Sequence, residues 1–365
     1  MKNKQMDLVL FITTLLLLAI GVTMVLSASA PYALNTYGDS YYFAKDQLIY
    51  AIVGIVIMLI ISNIDYRVYK RFGLIALIGG IGVLLLVFIP GLGVTRNNAT
   101  RWINIGVQIQ TSEITKIAVI VFFASLLSQK KYEEKIKHSY KFFLSCLAIL
   151  GIIMLILLKQ PHMSAAVVIL GISMVIIFAA GCNLKYIISL VPVAIAGLLG
   201  LIIMSPYRLD RLKYWLDPWQ DFKGEGWQLA QSLMAIGSGG VFGLGLGKSK
   251  QKYMYLPEQQ NDFIFAVICE ELGFFGALLV ISLFAIFVWR GVLISIKCKD
   301  KFGSYMAIGI TTMIGLQAIF NIAVVTGTIP VTGISLPFFS YGGSSLLILL
   351  ASTGVLLNIS KNCSK

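Results

Sequence analysis

Leu8-Val-Leu-Phe-Ile-Thr-Thr-Leu-Leu-Leu-Leu-Ala-Ile-Gly-Val-Thr-Met-Val-Leu26 runs without one charged side chain. As a helix it is long enough to cross about 30 Å of hydrocarbon, which takes roughly 17–25 apolar residues. Ala28-Ser29-Ala30 follows and imitates the small-residue site of a cleaved signal peptide. The apolar stretch exceeds the roughly 7–15 residues of a signal h-region, so a retained first span is the expectation. Comparable runs begin near Leu48, Leu74, Ile114, Phe142, Met163, Ile187, Phe263, Tyr305 and Gly342. The chain therefore reads as an all-α polytopic membrane protein with about ten transmembrane helices.

Composition agrees, with 58% hydrophobic and 12% charged residues against roughly 45–50% and about 25% in soluble domains. Lys and Arg set the orientation, because cytoplasmic loops carry an excess of them. With the N-terminus inside, Lys2 and Lys4, Arg67, Lys70 and Arg71, the Lys130–Lys141 cluster, Lys185, Arg290, Lys297–Lys301, Lys361 and Lys365 all fall on the cytoplasmic face. Both termini are then cytoplasmic. A net charge of +13 reflects this topology and contact with anionic lipid, not nucleic-acid binding. Cys182, Cys298 and Cys363 fall on the inner side and Cys146 and Cys269 within spans, which suits reduced thiols and argues against a disulfide framework.

The chain reads as a single domain, residues 1–365, with no low-complexity tail. Its asymmetry is outside, where Ile89–Thr111, Ser205–Asn261 and Gly327–Tyr341 are longer than minimal connections. Residues 205–261 form a large extracytoplasmic loop between the seventh and eighth helices. Long loops that keep specific polar and glycine residues are where function concentrates.

Leu256-Pro-Glu-Gln-Gln-Asn-Asp-Phe-Ile-Phe-Ala-Val-Ile-Cys-Glu-Glu271 delivers acids to a membrane segment in a chain with only 16 of them. Asn261-Asp262 suits the outer start of the eighth span, where capping alone would account for the pair. Glu258, Asp262 and Glu270 would share a face if the helix extended that far. Carboxylates at membrane depth are costly and mark sites or pathways. Thr111-Ser112-Glu113-Ile114-Thr115-Lys116 opens the fourth span with Glu113 and Lys116 on one face, either a self-neutralised pair or an acidic pocket tuned by a lysine. Arg101-Trp102, just upstream, is a membrane anchor or a phosphate ligand.

Arg208, Arg211, Lys248 and Lys250 lie in the large loop among interfacial aromatics and are candidate substrate-binding residues for an anionic lipid head group. The run Gly237–Ser249 suggests a nucleotide loop, but both a P-loop ending at Gly247-Lys248-Ser249 and a dinucleotide fingerprint starting at Gly237 need glycine where Phe242 stands. Ser340, Gly342, Gly343, Ser344 and Ser345 precede the last span. Free N–H groups and hydroxyls at a helix start suit phosphate oxygens, although a packed re-entrant turn would also use them.

Together these residues resemble the SEDS family (shape, elongation, division and sporulation), most specifically over Ala99–Gly106, Leu256–Gly273 and Leu336–Ser345. Gln259-Gln260-Asn261 is nearer the division and sporulation branches, FtsW and SpoVE, than the elongation branch, RodA. The resemblance implies a membrane glycosyltransferase that polymerises lipid II, the undecaprenyl-diphosphate-linked disaccharide-pentapeptide of peptidoglycan, with a class B penicillin-binding protein as partner. It implies catalytic roles for Asp262, Glu113 and Lys116, and a substrate-binding role for Arg101-Trp102. Family members often carry Asp after Gln/Glu-Pro between the fifth and sixth spans, where this chain has Gln160-Pro161-His162. The metal set is therefore left unassigned: no cofactor is fixed by the residues, and a divalent cation, Mg2+ or Mn2+, stays open. The rival readings are a lipid II flippase, which would tend to place its polar groups near the midplane, and a scaffold for cell-wall synthases.

Overall fold

The computed structural model describes residues 5–96, 99–104, 106, 108–192, 196–197, 200, 206–222, 224, 226–253, 257 and 259–363, with the side chains of 96 and 206–208 excluded. Lys2, Lys4, Glu258, Lys365 and the side chain of Arg208 lie outside the described residues.

Helices dominate. In chain order they are α1 (Leu8–Tyr37), α2 (Tyr42–Ile61), a 3-10 segment (Tyr66–Phe72) running into α3 (Gly73–Leu86), α4 (Thr111–Leu127), α5 (Lys130–His138), α6 (Tyr140–Lys159), α7 (Met163–Ala179), α8 (Leu184–Ile188), α9 (Pro206–Leu216), α10 (Trp227–Gly239), α11 (Ile264–Lys297), α12 (Lys301–Val325) and α13 (Gly343–Cys363). Seven described segments are long and apolar enough to cross a membrane, or eight if α4 and α5, bent by 94°, form one span. The 17-residue α7 falls just short of that length, and the expected span near Ile187 lies largely outside the described residues.

The all-α expectation needs one correction. Residues after α3 form a three-stranded antiparallel sheet, β1 (Gly93–Arg96), β2 (Ala99–Asn104) and β3 (Gln108–Gln110), in that spatial order. Backbone polar groups outside a helix still need partners, and this loop supplies its own. Trp102 faces Val94 on one side and Gln110 on the other.

α1 is continuous through Ala28-Ser29-Ala30, with Ala28 and Ser29 buried. Asp7 starts it by accepting from Leu10 N. α4 is buried along nearly its whole length, packed among α3, α7 and α12. At one end of the bundle Arg290 ion-pairs with Asp7, Asp7 N donates to Ser360 Oγ, and Asn358 Nδ2 donates to Ser62 O. Arg290 and Lys361, both assigned to the inner side, therefore lie at this one end. There too Cys298 and Cys363 form a disulfide, with Cα atoms 4.6 Å apart, whereas free thiols were expected. Two helix C-termini far apart in sequence are neighbours in space, which spacing could not reveal. Cys146, Cys182 and Cys269 are free.

α11 is a broken helix. Gly273 sits at φ 65°, ψ −163°, and a Cβ there would lie 2.3 Å from Gly243 N, so only glycine lets the two backbones touch. The helical hydrogen bonds lost at the break are replaced from the glycine-rich run: Leu244 N donates to Glu270 O at 2.9 Å, Gly245 N to Glu271 O at 3.0 Å, and Phe274 N to Gly240 O at 3.0 Å. Irregular backbone at membrane depth persists only where it is satisfied in this way. Much of the expected outer loop is thus α10 and this run packed along α11.

Candidate active site

β3 leads directly into α4, so the sheet fixes where the helix begins. Thr115 Oγ1 donates to Gly80 O at 3.2 Å, locking the first turns against α3. One turn apart, Lys116 Nζ and Glu113 Oε1 are 2.7 Å apart, with side chains only 3% and 4% exposed. Burying two charges costs several kcal/mol per ion, so such a pair is weak evidence of stabilisation. It is incompletely satisfied as well: Glu113 Oε2 has no hydrogen-bond partner.

α7 supplies the facing wall. Gln160 Nε2 donates to Leu84 O at 2.7 Å, and Arg101 Nη2 donates to Pro161 O at 2.5 Å. These two bonds hold the turn that points His162 inward. His162 is buried, and its pKa is pushed down to about 3 by burial first, then by the positive charges of Arg101 and Lys116. The imidazole is therefore neutral at physiological pH, and its Nδ1 has no partner. Ser164 Oγ donates to Thr332 O, tying α7 to the 327–341 segment.

Asp262 closes the third side. The residues before α11 form turns, and the helix begins at Ile264 with Phe263 as N-cap and no side-chain cap bond. Capping thus does not explain Asn261-Asp262. Asn321 Nδ2, from α12, donates to both Asp262 O and Ile334 O at 2.7 Å, clamping the two segments together. A Cβ built on Gly333 would lie 3.3 Å from Asp262 Oδ2. Gly333, Ile334 and Ser335 in turn share an open cleft of about 280 Å3 with Ser112, Glu113, Lys116, His162, Ser164 and Gln317. The structure therefore brings Asp262, Glu113 and Lys116 to one place, and Arg101 to its edge.

The other residues singled out from sequence fare differently. Arg211 Nη1 donates to Val331 O at 3.0 Å and Trp215 Nε1 to Gly327 O at 2.8 Å, so α9 grips the loop that walls the cleft. Ser340 Oγ donates to Asn261 O and accepts from Leu336 N, both at 2.7 Å, and so stitches the loop to the approach of α11. Gly342 N donates to Gln47 Oε1 at 3.4 Å, and a Cβ on Gly343 would run into the Tyr50 ring. Ser344 and Ser345 are half-buried at the start of α13, Ser345 Oγ donating to Gly342 O at 3.0 Å. Tyr341, beside Asp46, has its phenol pKa raised by burial and by that carboxylate. Lys248 and Lys250 are exposed beside the glycine-rich run, at the level of Glu270, roughly 9 Å along α11 from its start at Ile264 at 1.5 Å per residue.

Sequence reasoning missed one group and misplaced another. Gln317 and Asn321, one turn apart in α12, are polar residues within an apolar span, and that contrast was the available signal. Glu270 and Glu271, both fully buried, belong to a separate network. Glu270 accepts from Lys250 N at 2.8 Å, from Gln251 N at 3.4 Å and from Ser249 Oγ. Glu271 accepts from Lys252 Nζ at 2.9 Å, Ser27 Oγ at 2.6 Å and Ser249 N at 3.3 Å. Glu270 thus faces the glycine-rich run, away from any face shared with Asp262.

A family model described as cell cycle protein, of FtsW, RodA and SpoVE type, matches residues 7–365. The chain belongs to this family. Stage V sporulation protein E of Bacillus subtilis (strain 168) is 45% identical over 361 residues, covering 99% of this chain and 98% of that protein. A probable peptidoglycan glycosyltransferase FtsW of Geobacter sp. (strain M18) is 42% identical over 355 residues, covering 97% and 96%. Among solved structures, a chain from a peptidoglycan synthase complex that coordinates polymerization and crosslinking superposes with TM-score 0.80 at 25% identity, covering 99% of both chains. Rod shape determining protein RodA of Thermus thermophilus, at TM-score 0.72 and 23% identity over 99% of this chain and 98% of that one, shares the fold.

This SEDS chain is a multi-pass integral membrane protein. Its cleft carries His162 where the family pattern led one to expect a second acid. A hard divalent ion takes oxygen ligands, usually one or two carboxylates with several waters. Of the two carboxylates gathered here, Glu113 is already paired with Lys116, and Asp262 lies against Gly333 outside the cleft lining. No group of three His, Cys, Asp or Glu suited to a metal occurs among the described residues, and the donor set does not fit Mg2+ or Mn2+.

Proposed function

We propose that this chain is a membrane-bound inverting peptidoglycan glycosyltransferase that polymerises lipid II into glycan strands at the outer membrane face, in division or sporulation. The relatives named as such enzymes support the activity. The observation that carries the site is the cleft itself, where a buried Glu113–Lys116 pair opens beside Asp262 with polar atoms left over.

In the reaction a sugar hydroxyl oxygen bonds to the anomeric carbon of the lipid-linked sugar while the bond from that carbon to the diphosphate oxygen breaks. Asp262 takes the hydroxyl proton. An ordinary aspartate near pKa 3.9 is a weak base at neutral pH, so it takes the proton as the new C–O bond forms and the hydroxyl becomes acidic. The undecaprenyl diphosphate departs as an anion and needs positive charge more than a proton, a need that Lys116 and Arg101 meet. Arg211 and Asn321 act by holding the walls in place.

The wider architecture is part of the same reading: one domain over residues 1–365, about ten spans, cytoplasmic termini, and residues 205–261 outside, with α10 and the glycine-rich run packed along α11. A class B penicillin-binding protein is the proposed partner.

Reconstitution of the purified chain in liposomes with defined lipid II, with and without that partner, tests the activity. Wild type should yield glycan strands and Asp262→Asn should not. Lipid II crossing the bilayer without strands would instead point to a transporter. Activity that depends on partner contacts but not on Asp262 would point to a scaffold.

A further inference from the structure

Four buried side-chain atoms in the cleft have no hydrogen-bond partner: Ser112 Oγ, Glu113 Oε2, His162 Nδ1 and Gln317 Oε1. They come from three elements, α4, the approach to α7, and α12, and their side chains line the same 280 Å3 space. Each parent residue is at least nine-tenths buried, with exposures between 1% and 4%. Buried polar groups are almost always paired, so four orphans around one cleft mark partners that arrive with a ligand.

The chemistry of the orphans narrows that ligand. Glu113 Oε2 and Gln317 Oε1 only accept, a serine hydroxyl does either, and a neutral imidazole nitrogen accepts or donates by tautomer. The cleft therefore calls for donors, and two ligand types bring them to acceptors: a metal cation, or a group bearing O–H and N–H. Charge separates the two. A cation would sit beside the Lys116 ammonium, which already neutralises Glu113, the one carboxylate in the cleft lining, at 2.7 Å. At the second position it would find an imidazole in place of an acid. The same lysine and Arg101 act on His162 as positive charges, so the potential on that wall opposes a cation.

We propose that in this chain the cleft holds no divalent cation and instead receives the hydroxyl and acetamido groups of a substrate sugar, with His162, Ser112 and Gln317 as neutral substrate-binding residues beside Glu113. The inference rests on the glycosyltransferase reading and names the part of the substrate that this wall contacts.

The test uses the full chain purified in detergent micelles, with MnCl2 as the probe and the electron paramagnetic resonance signal of free Mn2+ as the readout. Wild type should leave the signal unchanged up to millimolar Mn2+. His162→Asp should gain a Mn2+ site that Glu113→Gln abolishes, and His162→Glu serves as a second variant if the first fails to fold. In the polymerisation assay His162→Ala and Gln317→Ala should each raise KM for lipid II roughly 3- to 10-fold with little change in kcat, the loss of one uniform hydrogen bond. A wild-type Mn2+ site lost in Glu113→Gln would overturn the proposal, and so would unchanged KM in both alanine variants. Acidic variants that fold yet bind no Mn2+ would break the assignment of cation exclusion to His162. A wild type that polymerises nothing would strike the glycosyltransferase reading, and the Mn2+ titration would still decide what the cleft holds.

Discussion

Two buried charged regions border α11, and they are built in opposite ways. At Glu270 and Glu271 all four carboxylate oxygens have partners, drawn from Ser249, Lys250, Gln251, Lys252 and Ser27. Neither carboxylate has an oxygen left over for a ligand. At Glu113, one oxygen is paired with Lys116 and the other is not, and Ser112, His162 and Gln317 add further unpaired atoms around the same space. A fully satisfied buried network rigidifies, while a partly satisfied one is high in energy until something fills it. The first region is therefore the brace that holds a broken helix to its glycine-rich neighbour. The second is where substrate belongs.

This division of labour breaks most visibly at Asp262. Asp262→Asn should cut polymerisation about 10²–10⁴-fold, the usual cost of a lost general base, with the melting temperature little changed, because Asn has the same shape and the Asn321 clamp is to the backbone oxygen. Lys252→Met should do the reverse. It strands the Glu271 charge at a site with no exposure, a loss of about 3–5 kcal/mol for breaking a buried pair, read as a large drop in thermal stability in micelles.

Lys116→Met should impair turnover far more than Arg67→Met, whose side chain is 62% exposed. Parallel initial-rate assays would show the gap, and equal losses would remove Lys116 from the site. The pH response sharpens the contrast further. His162 has a folded-state pKa near 3, below the ordinary value of 6.5, so the unfolded chain binds the extra proton as the pH falls. The stability from keeping it neutral is complete above pH 6.5 and is lost progressively from there down through about 3. Melting curves between pH 7 and 5 should show this decline in wild type and a shallower one in His162→Gln. The smallest effect is expected for Lys248→Ala and Lys250→Ala, exposed on the brace side of α11. Their rates should stay within about 2-fold of wild type, as for surface substitutions generally.

How much of this was legible depends on which interactions are local. Spans could be read wherever an apolar run is unbroken, and the Glu113–Lys116 pair follows from helical spacing alone. Asp262 stood out because acids are scarce. The three-stranded sheet did not, since its strands are short and surround glycine and polar residues that read equally as loop. The role of Gly237–Ser249 was also hidden: its glycines answer to the break at Gly273, some thirty residues on, and no local pattern encodes that encounter. The same holds for Cys298 and Cys363, for Gln317 and Asn321 meeting residues from other elements, and for Ser340, whose hydroxyl proves to be bound within the protein.

The most direct test measures polymerisation and melting temperature on the same preparations of wild type, Asp262→Asn and Glu271→Gln. The account predicts that Asp262→Asn melts like wild type but loses about 10²–10⁴ in rate, and that Glu271→Gln melts well below wild type while its folded fraction still makes strands. An Asp262→Asn protein that polymerises lipid II at the wild-type rate would contradict it, as would a Glu271→Gln protein that melts normally and is inactive.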